Sequence, residues 1–291
     1  MKSMLIGLCA ASAVGLAVGG TGPQLTVVKD IPYLEGQELK EADAHRAAWC
    51  RLDIRYPASV TGFSTVVTFH GGGLTRGRRG FFNLDPTLAE VAVDYRLLGR
   101  EGVTNEDVRT PIYDAAAAVA WTLRHVAAYG GDPKKVFVTG SSAGGYLTMM
   151  VGMDPRWLAK YGFKPLDLAG LAPNSGQATT HFAIKALAGY EGPRWQPVID
   201  ELAPLYYCRY AKTIPPIVCI VGQPPYEMKG RAEENELLIG SLKAMGHEKA
   251  WYVRLPFASH GRTTACGRAY IELMAKGKLP TDFYLRPGDV H

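Results

Sequence analysis

The strongest constraint on the fold is an alternation. Short, continuously apolar runs recur along the chain, separated by segments of helical length. Ser64–Phe69 (STVVTF), Glu90–Tyr95 (EVAVDY), Lys135–Thr139 (KVFVT), Leu168–Leu171, Pro216–Val221 and Trp251–Leu255 read as strands. Between them, Tyr113–Tyr129 is Ala-rich with apolar residues at helical spacing and a Gly130-Gly131 stop. Ser142–Met153 is a second helix, and Glu233–Met245 a third, with Leu237, Leu238, Leu242 and Met245 on one face. Strands alternating with helices imply βαβ units and a mainly parallel sheet with helices on both faces. Such a sheet is buried on both sides, so its strands are apolar throughout rather than at every second residue. Residues 24–64 read as an extended lead-in, with Cys50–Tyr56 alternating as an early strand. Residues 176–214 are aromatic, contain Pro and lack strand periodicity; an insertion of that length reads as a lid or pocket wall. No internal repeat or linker interrupts the rest, so a single α/β domain over residues 21–291 is expected.

The start of the chain is different in kind. Lys2 precedes an apolar run from Met4 to Val18, then Gly19-Gly20-Thr21-Gly22-Pro23. One basic residue, a short apolar core and a small-residue exit predict a signal peptide over residues 1–20, hence a secreted or periplasmic protein. A buried N-terminal helix is the rival reading. The run is short for a membrane span, which takes ~20 apolar residues, and no later run is long enough. Charged residues make up 20% of the chain, with a scattered net charge of +5 that argues against a nucleic-acid partner. Without Cys9, the cysteines are Cys50, Cys208, Cys219 and Cys266. In an oxidising compartment these allow at most one expected disulfide, because Cys219 sits in an apolar strand and reads as a buried thiol. Neither a CxxC pair nor an HExxH motif occurs, so no zinc site is expected.

The chemistry concentrates in a few short segments. Gly140-Ser141-Ser142-Ala143-Gly144 follows a strand and opens a helix, the setting of a nucleophile elbow. The turn is so tight that side chains in place of Gly140 and Gly144 would meet neighbouring backbone, leaving the Ser142 hydroxyl exposed beside a helix N-terminus. Phe69-His70-Gly71-Gly72-Gly73 follows another strand upstream. Glycines let backbone N–H groups approach a developing oxyanion, and Ala143 N–H would add a donor. A serine needs a base, and the base an orienting carboxylate. His260, directly after the last strand, is best placed; His181 is the rival, while His45, His125 and His291 read as surface residues. For the acid, Glu227 is the first carboxylate beyond the Pro216–Val221 strand. It also reads as a surface residue paired with Arg231, and Glu233 and Glu234 fit the first turn of the next helix.

Together, His70-Gly71-Gly72-Gly73, Asp94-Tyr95-Arg96-Leu97, Tyr129-Gly130-Gly131-Asp132-Pro133 and Gly140-Ser141-Ser142-Ala143-Gly144-Gly145 resemble the α/β-hydrolase superfamily. Within it they are closest to hormone-sensitive-lipase-like and bacterial feruloyl-esterase-like carboxylesterases, over roughly residues 50–275. The resemblance implies an α/β-hydrolase fold and a Ser–acid–His triad in that chain order. It further implies oxyanion donors from Gly72, Gly73 and Ala143, and no metal or organic cofactor. The expected substrate is a small-molecule ester with a short acyl or aryl group, or a carbohydrate-linked one. An amidase or peptidase with the same machinery is one alternative, and a non-catalytic binding protein another. Members of the family usually place an Asp close after the acid-bearing strand, where this chain has Gln223-Pro224-Pro225. Either Glu227 substitutes or the orienting acid is impaired. The stretch from Phe81 to Glu90 is short, which implies a trimmed, open pocket wall.

Overall fold

A computed structural model describes residues 23–99 and 107–279; the expected leader over residues 1–20 lies outside the described residues. In chain order the elements are β1 (Leu25–Pro32), α1 (Gly36–Lys40), α2 (Ala44–Trp49), β2 (Arg51–Pro57), β3 (Phe63–Phe69) and β4 (Ala89–Val93). Then come α3 (Thr110–His125), β5 (Gly131–Ser141), α4 (Ala143–Met153), α5 (Pro155–Ala159), β6 (Gly170–Asn174) and α6 (Phe182–Leu187). The last elements among the described residues are β7 (Ile217–Gly222), α7 (Arg231–Ala244), β8 (Ala250–Leu255) and α8 (Thr263–Ala275).

The eight strands form one sheet in the order β1-β2-β4-β3-β5-β6-β7-β8. From β4 to β8 all neighbours are parallel, whereas β1–β2 and β2–β4 are antiparallel. The lead-in is therefore more structured than its sequence suggests: it contributes an edge strand and two short helices. The strand expected at Leu168–Leu171 lies at Gly170–Asn174. Its polar and Pro residues hide the end of the strand from a search for apolar runs.

Burial on both faces is visible residue by residue. In β7, Ile217 and Cys219 join the core under α3, α4 and α7, while Val218 and Ile220 join the core under α8. Val67 and Val66 in β3 divide the same way, as the two-residue period of a strand requires. In α7 the buried face is Ala232, Asn235, Leu238, Ile239 and Leu242. Leu237 and Met245, expected on that face, are about half exposed. Helical spacing does not separate Leu237 from Ile239 as the partner of Leu238, and packing against β7 and β8 selects Ile239. Cys50, Cys208, Cys219 and Cys266 are all free thiols, so the one disulfide that the sequence leaves possible is not formed among the described residues.

The register puts the C-terminal ends of the parallel strands side by side. Phe69 pairs with Gly140, Ser141 with Asn174, and Gly222 with Leu255. In open α/β sheets this edge is where loops meet a ligand. Helix α4 packs hard against it: a Cβ on Gly140 would lie 2.4 Å from the Gly144 carbonyl carbon, and one on Gly144 2.1 Å from Phe69 O. Because both obstacles are backbone, neither can move aside. Gly144→Ala is expected to lower the unfolding midpoint by about 10 °C or more, read by calorimetry. An unchanged midpoint would contradict this packing.

Candidate active site

Ser142 sits between β5 and α4 with φ 56° and ψ −112°, a backbone conformation that L-residues rarely adopt. The turn is held by Ser142 N donating to Asn174 O at 2.8 Å and by the two close-packed glycines. It lifts Oγ to the strand edge, where His260 Nε2 lies 2.9 Å away. The preceding Ser141 points elsewhere, its Oγ 2.6 Å from Thr264 Oγ1.

His260 lies in the loop between β8 and α8, and its Nδ1 is 2.5 Å from Glu227 Oε1. Glu227 is not a surface partner of Arg231. It is buried, and each oxygen has two partners: Oε1 has His260 Nδ1 and Met228 N (2.8 Å), and Oε2 has Ser175 Oγ (2.6 Å) and Gly222 N (3.0 Å). Burial by itself raises the carboxyl pKa, but the bonds from His260, Ser175 and Met228 outweigh it and bring the value from 4.5 down to about 2. Glu233 and Glu234 do occupy the first turn of α7, and Glu234 accepts from Thr179 Oγ1 at 2.8 Å and pairs with Arg231.

The rival base is in the wrong place. His181 is fully buried, caps α6 by accepting from Ala183 N at 3.2 Å, and packs against Tyr146 and Phe182. Burial, then the charges of Arg231, Arg194 and Lys185, hold its pKa well below the usual histidine value. Nor are His45 and His125 fully exposed: both are half-buried, and His125 pairs with Glu35 at 2.6 Å. His291 lies outside the described residues.

The glycine loop after β3 approaches the elbow closely. A Cβ on Gly71 would stand 3.0 Å from Ser141 O and 3.5 Å from Ser142 Cβ. Gly72 (φ 109°) and Gly73 (φ 66°) both have left-handed backbone, and a Cβ on Gly72 would lie 2.0 Å from Arg76 O. Thr75 N and Arg76 N close the turn by donating to Gly72 O, at 3.2 and 3.1 Å. The His70 ring stacks on Tyr95 at 4.3 Å, and the Tyr95 hydroxyl donates to His70 O at 2.8 Å. Neither Gly72 N–H nor Gly73 N–H donates to a turn or loop carbonyl among the described residues. Ala143 N–H belongs to the first turn of α4, which leaves such groups unpaired. Beyond Gly73, Thr75, Leu98, Phe182, Leu187 and Val198 help line a cavity of about 550 Å³ under the insertion.

Two neighbours of the site carry no sequence motif. Ser175 follows β6 with φ 46°, and its Oγ also lies 2.9 Å from Thr263 Oγ1, which donates to His260 O at 2.8 Å. The buried Arg231 guanidinium donates to Ser175 O at 2.6 Å. Their only sequence signal is position, at the end of one strand and the start of one helix. Among the described residues, no group of three or more His, Cys, Asp or Glu side chains is arranged to hold a metal ion.

The Glu227 shift has a defined consequence for stability. Its pKa falls on folding, so between pH 4.5 and about 2 the unfolded chain binds the additional proton. Its stabilisation is therefore complete above pH 4.5 and is lost as pH falls toward 2, an effect of roughly 3 kcal/mol. Glu227→Gln is expected to flatten the dependence of stability on pH across that window, measured by urea unfolding at each pH. Parallel curves for the two proteins would contradict the paired, ionised carboxylate.

Residues 52–194 match the family model described as BD-FAE. The probable carboxylic ester hydrolase LipM of Mycobacterium tuberculosis is 34% identical over 134 residues, 42% of this chain and 28% of that protein. Phenmedipham hydrolase of Pseudarthrobacter oxydans is 31% identical over 139 residues, 44% of this chain and 28% of that protein. The chain thus spans less than a third of the length of these two relatives. Among solved structures, a truncated carbohydrate esterase from gut microbiota superposes with a TM-score of 0.68 at 15% identity, covering 91% of this chain and 99% of that one. A bacterial heroin esterase superposes with a TM-score of 0.62 at 18% identity, covering 89% and 86%. With its mainly parallel sheet, its serine turn at the strand ends and these likenesses, the chain has the α/β-hydrolase fold, and its residues 52–194 are similar to BD-FAE.

Proposed function

We propose that the chain is a serine carboxylesterase that works through an acyl-enzyme. One observation carries this reading: Ser142 Oγ, His260 and Glu227 are joined by contacts of 2.9 and 2.5 Å, at a turn faced by the glycine loop. Ser142 Oγ attacks the ester carbonyl while His260 Nε2 takes its proton. The oxyanion that forms is held by the N–H groups of Gly72, Gly73 and Ala143, a stabilisation of roughly 3 kcal/mol per donor. His260 then protonates the leaving alcohol, and the acyl group stays on Ser142. Water, deprotonated by His260, repeats the sequence and releases the acid. Glu227 orients the imidazole and stabilises its charged form; held ionised by its own bonds, it takes no proton itself.

The substrate in this reading is a short acyl or aryl ester, with carbohydrate-linked esters among those accepted. Support comes from the solved carbohydrate esterase that shares the fold, and from the cavity beside Gly73, which offers room for the acyl or aryl group. In this reading the protein is secreted or periplasmic, supported by the basic residue, short apolar run and small-residue exit of residues 1–20.

Turnover of p-nitrophenyl acetate tests the chemistry. Ser142→Ala is expected to lower kcat by ~10⁴-fold or more, and Glu227→Gln by roughly 10²- to 10⁴-fold. Wild-type turnover that survives Ser142→Ala would remove the nucleophile from this account. Full activity in Glu227→Gln would remove the acid. A preference for amide over ester substrates would turn the reading into an amidase.

A further inference from the structure

Six non-glycine residues among those described have positive φ: Asp30, Leu74, Asn83, Ser142, Ser175 and Phe257. Asp and Asn tolerate that conformation, and Leu74 is fixed by full burial in the core. Ser142 and Ser175 belong to the site. Phe257 alone has no such support: its φ is 57° and its side chain is 74% exposed. A bulky residue held in a strained backbone in order to stand in water points to a role outside folding.

Its position narrows that role. Phe257 lies in the loop after β8, three residues before His260, and Tyr226 lies in the loop after β7, directly before Glu227. Tyr226 is 52% exposed, and the two rings meet edge to face with centroids 6.2 Å apart. Their chain neighbours Glu227 and Ala258 are buried, so the backbone is anchored beside each ring. The loops are tied together by His260 N donating to Tyr226 O at 3.3 Å, and a Cβ on Gly222 would lie 2.3 Å from Ala258 O. The chain thus presents two fixed aromatic rings on the loops that carry the acid and the imidazole.

We propose that Tyr226 and Phe257 form a stacking platform for the alcohol side of the substrate, and that this alcohol is a pyranose ring within an oligosaccharide. The proposal rests on the carboxylesterase reading and specifies its substrate. The negative face of an aromatic ring attracts the C–H face of a sugar, whose hydroxyls stay hydrated. Both rings are open to solvent rather than enclosed, which suits a chain that continues into water. An isolated aryl or acyl group is better served by burial, as in the cavity beside Gly73. Gln223, Ser259 and Arg262, on the same loops and at least partly exposed, supply hydrogen-bonding groups at the platform's edge.

The test compares kcat/KM for acetylated xylo-oligosaccharide, ethyl acetate and phenyl acetate in wild type, Tyr226→Ala, Phe257→Ala and Phe257→Gly. Each variant is expected to lower the saccharide-to-ethyl-acetate ratio by roughly ten-fold, mainly through KM. Phe257→Gly should also raise the melting temperature above that of Phe257→Ala, because glycine relieves the positive φ. Equal losses on saccharide and ethyl acetate, or no loss on either, would overturn the platform. So would a larger loss on phenyl acetate, or no wild-type activity on the saccharide. Ser142-dependent hydrolysis of ethyl acetate is scored separately, so the esterase reading stands or falls independently of the platform.

Discussion

The site depends on one reversal of chain direction, completed within a single residue. Strand β5 is clamped between β3 and β6, with Gly140 level with Phe69 and Ser141 level with Asn174. Helix α4 must leave β5 at once and pack back onto the same sheet. That is achieved only with left-handed backbone at Ser142 and with hydrogen in place of side chains at Gly140 and Gly144. The same geometry delivers a hydroxyl at the strand edge and the unpaired N–H groups of a helix terminus beside it. Folding and chemistry share this constraint, so the backbone strain at Ser142 is sustained by packing around it rather than relaxed.

Around that turn, the acid shows how the fold accommodates an unusual sequence. Gln223-Pro224-Pro225 delays the first carboxylate to Glu227. The longer glutamate side chain reaches back to His260, and its freedom is removed by bonds from Gly222 N, Met228 N and Ser175 Oγ. Four hydrogen bonds on one buried carboxylate explain why ionisation survives desolvation. Behind it, the buried Arg231 fixes Ser175 through its carbonyl and is itself balanced by Glu234. A buried charge is tolerable only when paired in this way.

What could be read from the sequence follows from the range of the interactions involved. The parallel strands were legible because burial on both faces makes their apolar runs continuous, and the elbow because its residues are contiguous in sequence, although Gly144 answers to the backbone of Phe69 on another strand. The acid loop was only partly legible: Glu227 was identifiable by order along the chain, but its burial depends on Ser175, 52 residues upstream in sequence. Strand β1 and helices α1 and α2 were not legible, because β1 is an edge strand without a fully buried face. The free cysteines likewise follow from tertiary placement, since Cys50, Cys208 and Cys219 are each packed into the core without bonding to another sulfur. Leu237 against Ile239 in α7 is a smaller case of the same kind, settled by which neighbour the helix meets.

The central claim is that the hydroxyl activated here belongs to Ser142 and to no other serine. Labelling with a fluorophosphonate, followed by peptide mass spectrometry, addresses it without assuming any substrate. A single adduct on Ser142, lost in His260→Ala, is the predicted result. An adduct on the adjacent Ser141, or labelling that persists without His260, would contradict it.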